Sequence, residues 1–292
     1  MSNAGPHPLA PGVHVVDVDG VAQRYHVRGQ GAAVLVAMPG GPGVDWDSLL
    51  IPQVERHLTV VYVEPIGTGE SGRLPTHPYG YRRDVYARAL DRMITELGRE
   101  KVYLLGHSHG GFVAQYYASR HPQRLAGLVL YDSAPVTGAE QGEESARQVA
   151  AFAARNEGNP ELPGVLAALQ SVGSITDDDR LTEALRGLLP AYFAHYWERE
   201  VEFKALRDRL RVSYIADPGL VQDRELLAGL TVPTLIIAGR YDVVCGERWA
   251  REMFDLVPGS KLLLLAESGH LGHVEEPERF ATAVTDFVAA TQ

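Results

Sequence analysis

Apolar residues recur along this chain in two rhythms. Residues 13–17 and 21–27 read as strands, and Asp19-Gly20 between them is a strong hairpin signal. Residues 33–38, 58–63, 101–105 and 125–131 are short apolar runs of the kind that form buried strands. Residues 81–97 place Val85, Ala89, Met93 and Leu97 on one face, which is a helical spacing, and residues 111–120 are also helix-like. From 136 to 229 the texture changes: strand runs are few, charges are many, and helix-like segments fall at 181–189 and 192–210. Buried-strand patterning resumes at 234–238 and 261–265, and a last helix is predicted from Pro277 to about 290, with the proline near its start. A hairpin followed by strands alternating with helices predicts an α/β fold with a mostly parallel sheet flanked by helices. The interruption predicts a core domain of residues 13–135 and 230–290 and an inserted helical cap at 136–229.

Chemistry enters directly after the run ending at Leu105. Gly106-His107-Ser108-His109-Gly110 is a Gly-x-Ser-x-Gly pentapeptide set between a predicted strand and a predicted helix. A serine on so sharp a turn is lifted into an open site, and small residues at Gly106 and Gly110 let the chain pack that closely. A serine hydroxyl needs a base, usually a histidine held by a carboxylate. In a fold of this topology the chain order is serine, acid, histidine, each on a loop at the carboxyl end of a strand. Asp242 follows the 234–238 run and His270 follows the 261–265 run, so both sit where that order requires. Asp132 is the rival acid, since it too ends a strand, and His273 is the rival base. Asp242 also has a plainer reading, as N-cap of a helix near residues 246–257. His107 is expected to pack beneath Ser108, and His109 to line the pocket.

Acyl transfer needs N–H donors for the oxyanion. The backbone N–H of His109, next after the serine, is one candidate. The other is Gly41 in the loop Pro39-Gly40-Gly41-Pro42-Gly43, because Pro42 has no N–H to offer. The loop's spacing matches no nucleotide motif and no lysine follows it, so a phosphate cradle is not indicated. No histidine pair has metal-ligand spacing, so no metal is expected.

Composition narrows the class further. The net charge is -10 without a basic run, which speaks against nucleic acid and anionic membranes as partners. The single cysteine, Cys245, excludes an internal disulfide and fits a reducing, cytoplasmic setting. No apolar run approaches the roughly 20 residues of a membrane span. Residues 1–12 lack the charged start and apolar core of a secretion signal.

From about residue 13 to 290 these features resemble the α/β-hydrolase superfamily. Within it, Pro39-Gly40-Gly41-Pro42-Gly43 resembles the His-Gly-Gly-Pro-Gly loop of prolyl iminopeptidases, serine aminopeptidases that release an N-terminal residue, often proline. Ser268-Gly269-His270 and Glu275-Glu276-Pro277-Glu278 are typical as well. The resemblance implies an eight-stranded sheet, a helical cap and no cofactor, with the catalytic serine, aspartate and histidine falling on Ser108, Asp242 and His270. Three positions depart from the pattern. Pro39 replaces the loop histidine, Glu64-Pro65-Ile66-Gly67-Thr68-Gly69 replaces Asp-Gln-Arg-Gly-x-Gly, and His109 stands where tryptophan is common.

The function expected from this reading is hydrolysis of an amide or ester of a small aminoacyl substrate, releasing an N-terminal amino acid through an acyl-enzyme. The substrate would be a small molecule or short peptide with a free amine, and such peptidases hold that amine with cap carboxylates. Tyr196-Trp197-Glu198-Arg199-Glu200 places aromatic and acidic residues together on a predicted cap helix. Glu198, Glu202 and Trp197 are therefore the substrate-binding candidates. The alternative is a carboxylesterase, lactonase or thioesterase with the same triad. A more distant alternative is a non-catalytic ligand receptor on the same fold.

Overall fold

The computed structural model describes residues 7–292. Residues 1–6, on which part of the expectation about a leader rests, lie outside the described residues. Eight strands form one sheet in the order β1-β2-β4-β3-β5-β6-β7-β8. They are β1 (Gly12–Val18), β2 (Val21–Arg28), β3 (Val34–Met38), β4 (Thr59–Glu64), β5 (Val102–His107), β6 (Leu125–Tyr131), β7 (Thr234–Gly239) and β8 (Lys261–Leu265). The β1–β2 and β2–β4 pairings are antiparallel; every other pairing is parallel. Asp19 and Gly20 turn the first hairpin with φ of 52° and 85°, the positive values that a tight hairpin demands. β3, β4 and β5 are buried at every position, because helices cover both faces of the sheet.

The helices are α1 (Pro52–Glu55), α2 (Arg83–Glu96), α3 (His109–Arg120), α4 (Ala139–Arg155), α5 (Leu162–Ser171), α6 (Asp178–Leu188), α7 (Glu200–Arg209), α8 (Arg224–Ala228), α9 (Glu247–Leu256), α10 (Gly272–Glu275) and α11 (Pro277–Thr291). One apolar cluster packs α2, α3 and α9 on one face of the sheet, and a second packs α11 on the other. Helices α4 to α8 lie between β6 and β7. Leu185, Leu188, Phe193, Tyr196, Phe203 and Leu206 form a separate cluster there, which reaches Leu271 beside the β8 loop. No helix among the described residues is long and apolar enough to cross a membrane.

One predicted helix needs correction. Residues 192–210 are not continuous helix, and α7 starts only at Glu200. The backbone before it is engaged elsewhere. His270 N–H donates to the Tyr192 carbonyl at 2.7 Å, and Ala194 N–H donates to Glu275 Oε1 at 2.8 Å. A helix would need that carbonyl for its own ladder.

A second link ties these helices to the sheet. Val44 and Val212 form a β-bridge, Ser213 N–H donates to the Gly43 carbonyl at 2.9 Å, and Asp45 N–H donates to the Arg211 carbonyl at 3.1 Å. The approach is so close that a Cβ at Gly43 would collide with the Ser213 carbonyl. Buried Thr182 of α6 holds Val212 in turn: its Oγ1 accepts the Val212 N–H at 3.1 Å and donates to the Val212 carbonyl at 3.4 Å.

Candidate active site

The strand order brings the functional loops together at the carboxyl edge of the sheet. Pairing of β3 with β5 sets Met38 opposite Gly106, so residues 39–43 run alongside Ser108. Pairing of β6, β7 and β8 sets the loops carrying Asp132, Asp242 and His270 in succession beyond it.

Ser108 occupies the turn between β5 and α3 with φ 52° and ψ -118°, a conformation that costs an L-residue energy and is held by its surroundings. Its N–H donates to the Tyr131 carbonyl at 2.9 Å, and Ser133 Oγ donates to its carbonyl at 3.0 Å. The flanking glycines are sterically required. A Cβ at Gly106 would strike the Gly110 carbonyl, and one at Gly110 would strike the carbonyls of Met38 and Pro39. The N–H groups of Gly41 and His109 have no acceptor among the described residues. Gly41 holds φ 126°, which a side chain would resist.

His270 Nδ1 lies 2.8 Å from Asp242 Oδ2, and Asp242 is fully buried. The other carboxylate oxygen accepts N–H bonds from Val244 at 2.7 Å and Cys245 at 3.1 Å. These bonds fix the carboxylate against the imidazole. The capping reading of Asp242 is not met: α9 has Gly246 at its cap position and no side-chain cap. The rivals have other partners. Asp132 Oδ1 accepts the Gly239 N–H at 2.8 Å, while Oδ2 has no partner. Burial, then the neighbouring Asp242, push its pKa well above the usual carboxylate range, which favours the neutral acid. His273 donates from Nε2 to the Ser48 carbonyl at 2.9 Å and meets the Tyr131 hydroxyl at Nδ1 at 3.0 Å. Burial lowers its pKa to about 4.

His107 stacks on Tyr131 and donates from Nε2 to the His270 carbonyl at 2.9 Å, so it supports the His270 loop from below. Ring nitrogens of His107 and His270 and a carboxylate oxygen of Asp132 lie within 4.8 Å of one another. Hydrogen bonds engage His107 Nε2 and His270 Nδ1 within this layer.

Ser108 and His270 open on one cavity of about 210 Å³. Its walls include Val44, Val172, Leu181, Leu185, Leu206 and Val212, and no Asp, Glu, Lys or Arg among the described residues lines it. The leucines at 181, 185 and 189 recur every four residues and face it together, a signal present in the helical spacing of that segment. The substrate-binding candidates lie elsewhere. Glu198 is exposed, 3.8 Å from His195, and Glu202 pairs with Arg199 at 2.8 Å on the surface. Trp197 donates to Glu161 at 3.3 Å and stacks on Phe152. Trp197 and Glu198 border a different surface hollow, shared with Arg155 and Tyr241.

A second hollow, also about 210 Å³, meets Ser108 from the other side. It shares Gly41, Pro42, Ser108 and Val244 with the first, but its remaining wall is more polar and includes Arg83, His109, Thr137 and Gln141. Sequence reasoning gave no role to Arg83, Thr137 or Gln141. They stand at the starts of α2 and α4, and nothing in their local pattern places those helix starts beside Ser108.

A family profile described as the alpha/beta hydrolase fold matches residues 33–277, and the protein belongs to that family of hydrolases. It is 28% identical over 285 residues to a 2-hydroxy-6-oxo-6-(2'-aminophenyl)hexa-2,4-dienoic acid hydrolase of Metapseudomonas resinovorans, covering 94% of this chain and 90% of the relative. It is 27% identical over 288 residues to a proline iminopeptidase of Saccharolobus solfataricus, covering 90% and 87%. A crystal structure of a hydrolase from Pseudomonas aeruginosa superimposes with a TM-score of 0.71 at 26% identity, covering 94% of this chain and 98% of the other.

Proposed function

We propose that this protein is a serine hydrolase that acts through an acyl-enzyme on an ester, lactone or thioester. In this reading Ser108 Oγ attacks the carbonyl carbon while its proton passes to His270 Nε2. The oxyanion is stabilised by the N–H groups of Gly41 and His109. His270 then gives the proton to the leaving atom as its bond to carbon breaks. Water, deprotonated by His270, repeats the sequence and frees the acid. Asp242 orients His270 and stabilises its cation. The helices between β6 and β7 serve as a cap over residues 13–135 and 230–290.

One observation carries the choice of substrate: neither of the two hollows that meet Ser108 is lined by an Asp or Glu among the described residues. A free ammonium group taken into either would lose its hydration without a counter-charge. A second reading, an aminopeptidase, is favoured by the likeness to a proline iminopeptidase. It needs an acid near the cavity, and Glu198 and Glu202 are paired outside it.

Prolyl and alanyl p-nitroanilides, with free and acetylated amines, separate the two when run beside p-nitrophenyl butanoate. Ester turnover is expected, with amide turnover weak and indifferent to acetylation. Amide turnover that collapses on acetylation would establish the aminopeptidase instead. Ser108→Ala is expected to lower kcat/KM by about 10³-fold or more. A fluorophosphonate that fails to label Ser108 would point to the receptor alternative.

A further inference from the structure

Ser108 and Gly41 stand at the boundary between two hollows, while His270 and His109 each border only one of them. His270 borders the apolar cavity and not the polar hollow; His109 borders the polar hollow and not the cavity. Resting on the serine-hydrolase reading, this asymmetry sets the direction in which a substrate lies. The carbonyl carbon attacked by Ser108 carries three other groups: the oxyanion, the leaving group and the acyl chain. The oxyanion takes the Gly41 and His109 N–H groups. The leaving atom must receive its proton from His270 and so lies on the His270 side, within the apolar cavity. The acyl chain is left with the other side of Ser108.

We propose that the polar hollow is the acyl subsite, and that it takes a short acyl group bearing a hydroxyl or carbonyl oxygen, while the apolar cavity takes a hydrophobic leaving group. The polar side chains of the hollow have hydrogen-bonding capacity to give. Thr137 Oγ1 accepts the Val221 N–H at 2.8 Å, and its own O–H has no acceptor among the described residues. Gln141 directs its amide N–H groups to the Val244 carbonyl at 3.4 Å and to Cys245 Sγ, and Oε1 has no donor among the described residues. The His109 ring nitrogens have no hydrogen-bond partner among the described residues, and burial lowers that pKa to about 4, so a neutral ring offers one donor and one acceptor. Arg83 is already matched: it donates to Asp223 at 2.5 Å and lies over the Tyr116 ring. The hollow therefore offers unpaired hydrogen-bonding groups without an unbalanced charge, beside apolar Phe112 and Val221. It suits an oxygen-bearing neutral chain, for which unpaired buried groups give strong discrimination.

Two isomeric esters test the direction on the unmodified enzyme. Hexyl propanoate puts the apolar bulk on the leaving side, and ethyl heptanoate puts it on the acyl side. The expectation is a kcat/KM for hexyl propanoate at least about tenfold higher. Hexyl 3-hydroxybutanoate should exceed hexyl butanoate by roughly three- to tenfold, the value of one or two neutral hydrogen bonds. Gln141→Leu or Thr137→Val should erase that second preference and leave the first. Fluorophosphonate labelling of Ser108 is run in parallel. Labelling without the hexyl preference, or with the preference reversed, overturns the subsite assignment while the serine-hydrolase reading stands. Absence of labelling overturns that reading, and the assignment with it.

Discussion

Asp132 and Asp242 end adjacent strands and are both buried beside the same imidazole, yet their roles divide sharply. Asp242 receives two backbone N–H bonds and the His270 N–H. Asp132 receives one and leaves Oδ2 without a partner. Two negative charges this close in a dry interior are unfavourable, and the carboxyl with less support keeps its proton. Asp132→Asn reproduces that neutral form, and asparagine tolerates the φ of 43° found there. It is expected to keep kcat/KM within several-fold. Asp242→Asn should lower it by about 10³–10⁴, by analogy with loss of the orienting acid in serine proteases. Steady-state kinetics on the two variants checks both outcomes, and equal losses would contradict the division. Asp242 and His270 were legible in the sequence because strand order fixes which loops can meet. The choice between Asp132 and Asp242 rests on which backbone N–H groups point at which carboxylate, and residue order does not encode that.

At the scale of elements, the sequence failed where a local rhythm was overridden. Phe193, Tyr196 and Phe203 are apolar at spacings compatible with a helix, so residues 192–210 read as one. The Tyr192 carbonyl and Ala194 N–H are bonded instead to His270 and Glu275, residues about eighty positions away. Glu198 and Trp197 read as part of that helix; with the helix start moved to Glu200, Glu198 is exposed and Trp197 packs against Phe152 instead. The Thr182–Val212 pair was equally invisible, because one threonine on an amphipathic helix gives no sign of a partner thirty residues on. Thr182→Val keeps the shape but removes both bonds to Val212, and through it loosens the strand pairing beside Gly41. The expected result is a fall in kcat of roughly tenfold with KM little changed, partly restored by Thr182→Ser. A rise in KM alone would mean that Thr182 only shapes the cavity.

At the scale of the whole molecule, buried titratable groups pull stability in opposite directions with pH. His109 is lowered to about 4 by burial against an ordinary value of 6.5. The unfolded chain takes up a proton in that window and the folded chain does not. The stability this histidine contributes is complete above pH 6.5 and is lost as pH falls towards 4. Asp45 acts in the opposite sense. Burial, then Asp47 and Glu64, raise its pKa from 3.8 to about 6, so its contribution is complete below 3.8 and lost as pH rises through 6. Difference curves against the parent separate them. His109→Gln should gain stability relative to the parent as pH falls from 6.5 to 4, by at most about 1.4 kcal/mol per pH unit. Denaturant midpoints measured across that range decide it, and parallel curves would show that His109 does not titrate there.

The bridge between Val44 and Val212 also bears on how the enzyme can fail. The segment at Val212, which walls the cavity, is bonded to the loop that carries Gly41. Displacing that wall and slackening that loop are therefore one movement. On the proposed serine-hydrolase reading, a reactant bulky enough to wedge the wall aside would acylate Ser108 and then be held with a poorly ordered oxyanion donor. Its deacylation should stall, giving a pre-steady-state burst close to one equivalent per site and then slow turnover. Such a compound would behave as a suicide substrate through its width rather than its reactivity.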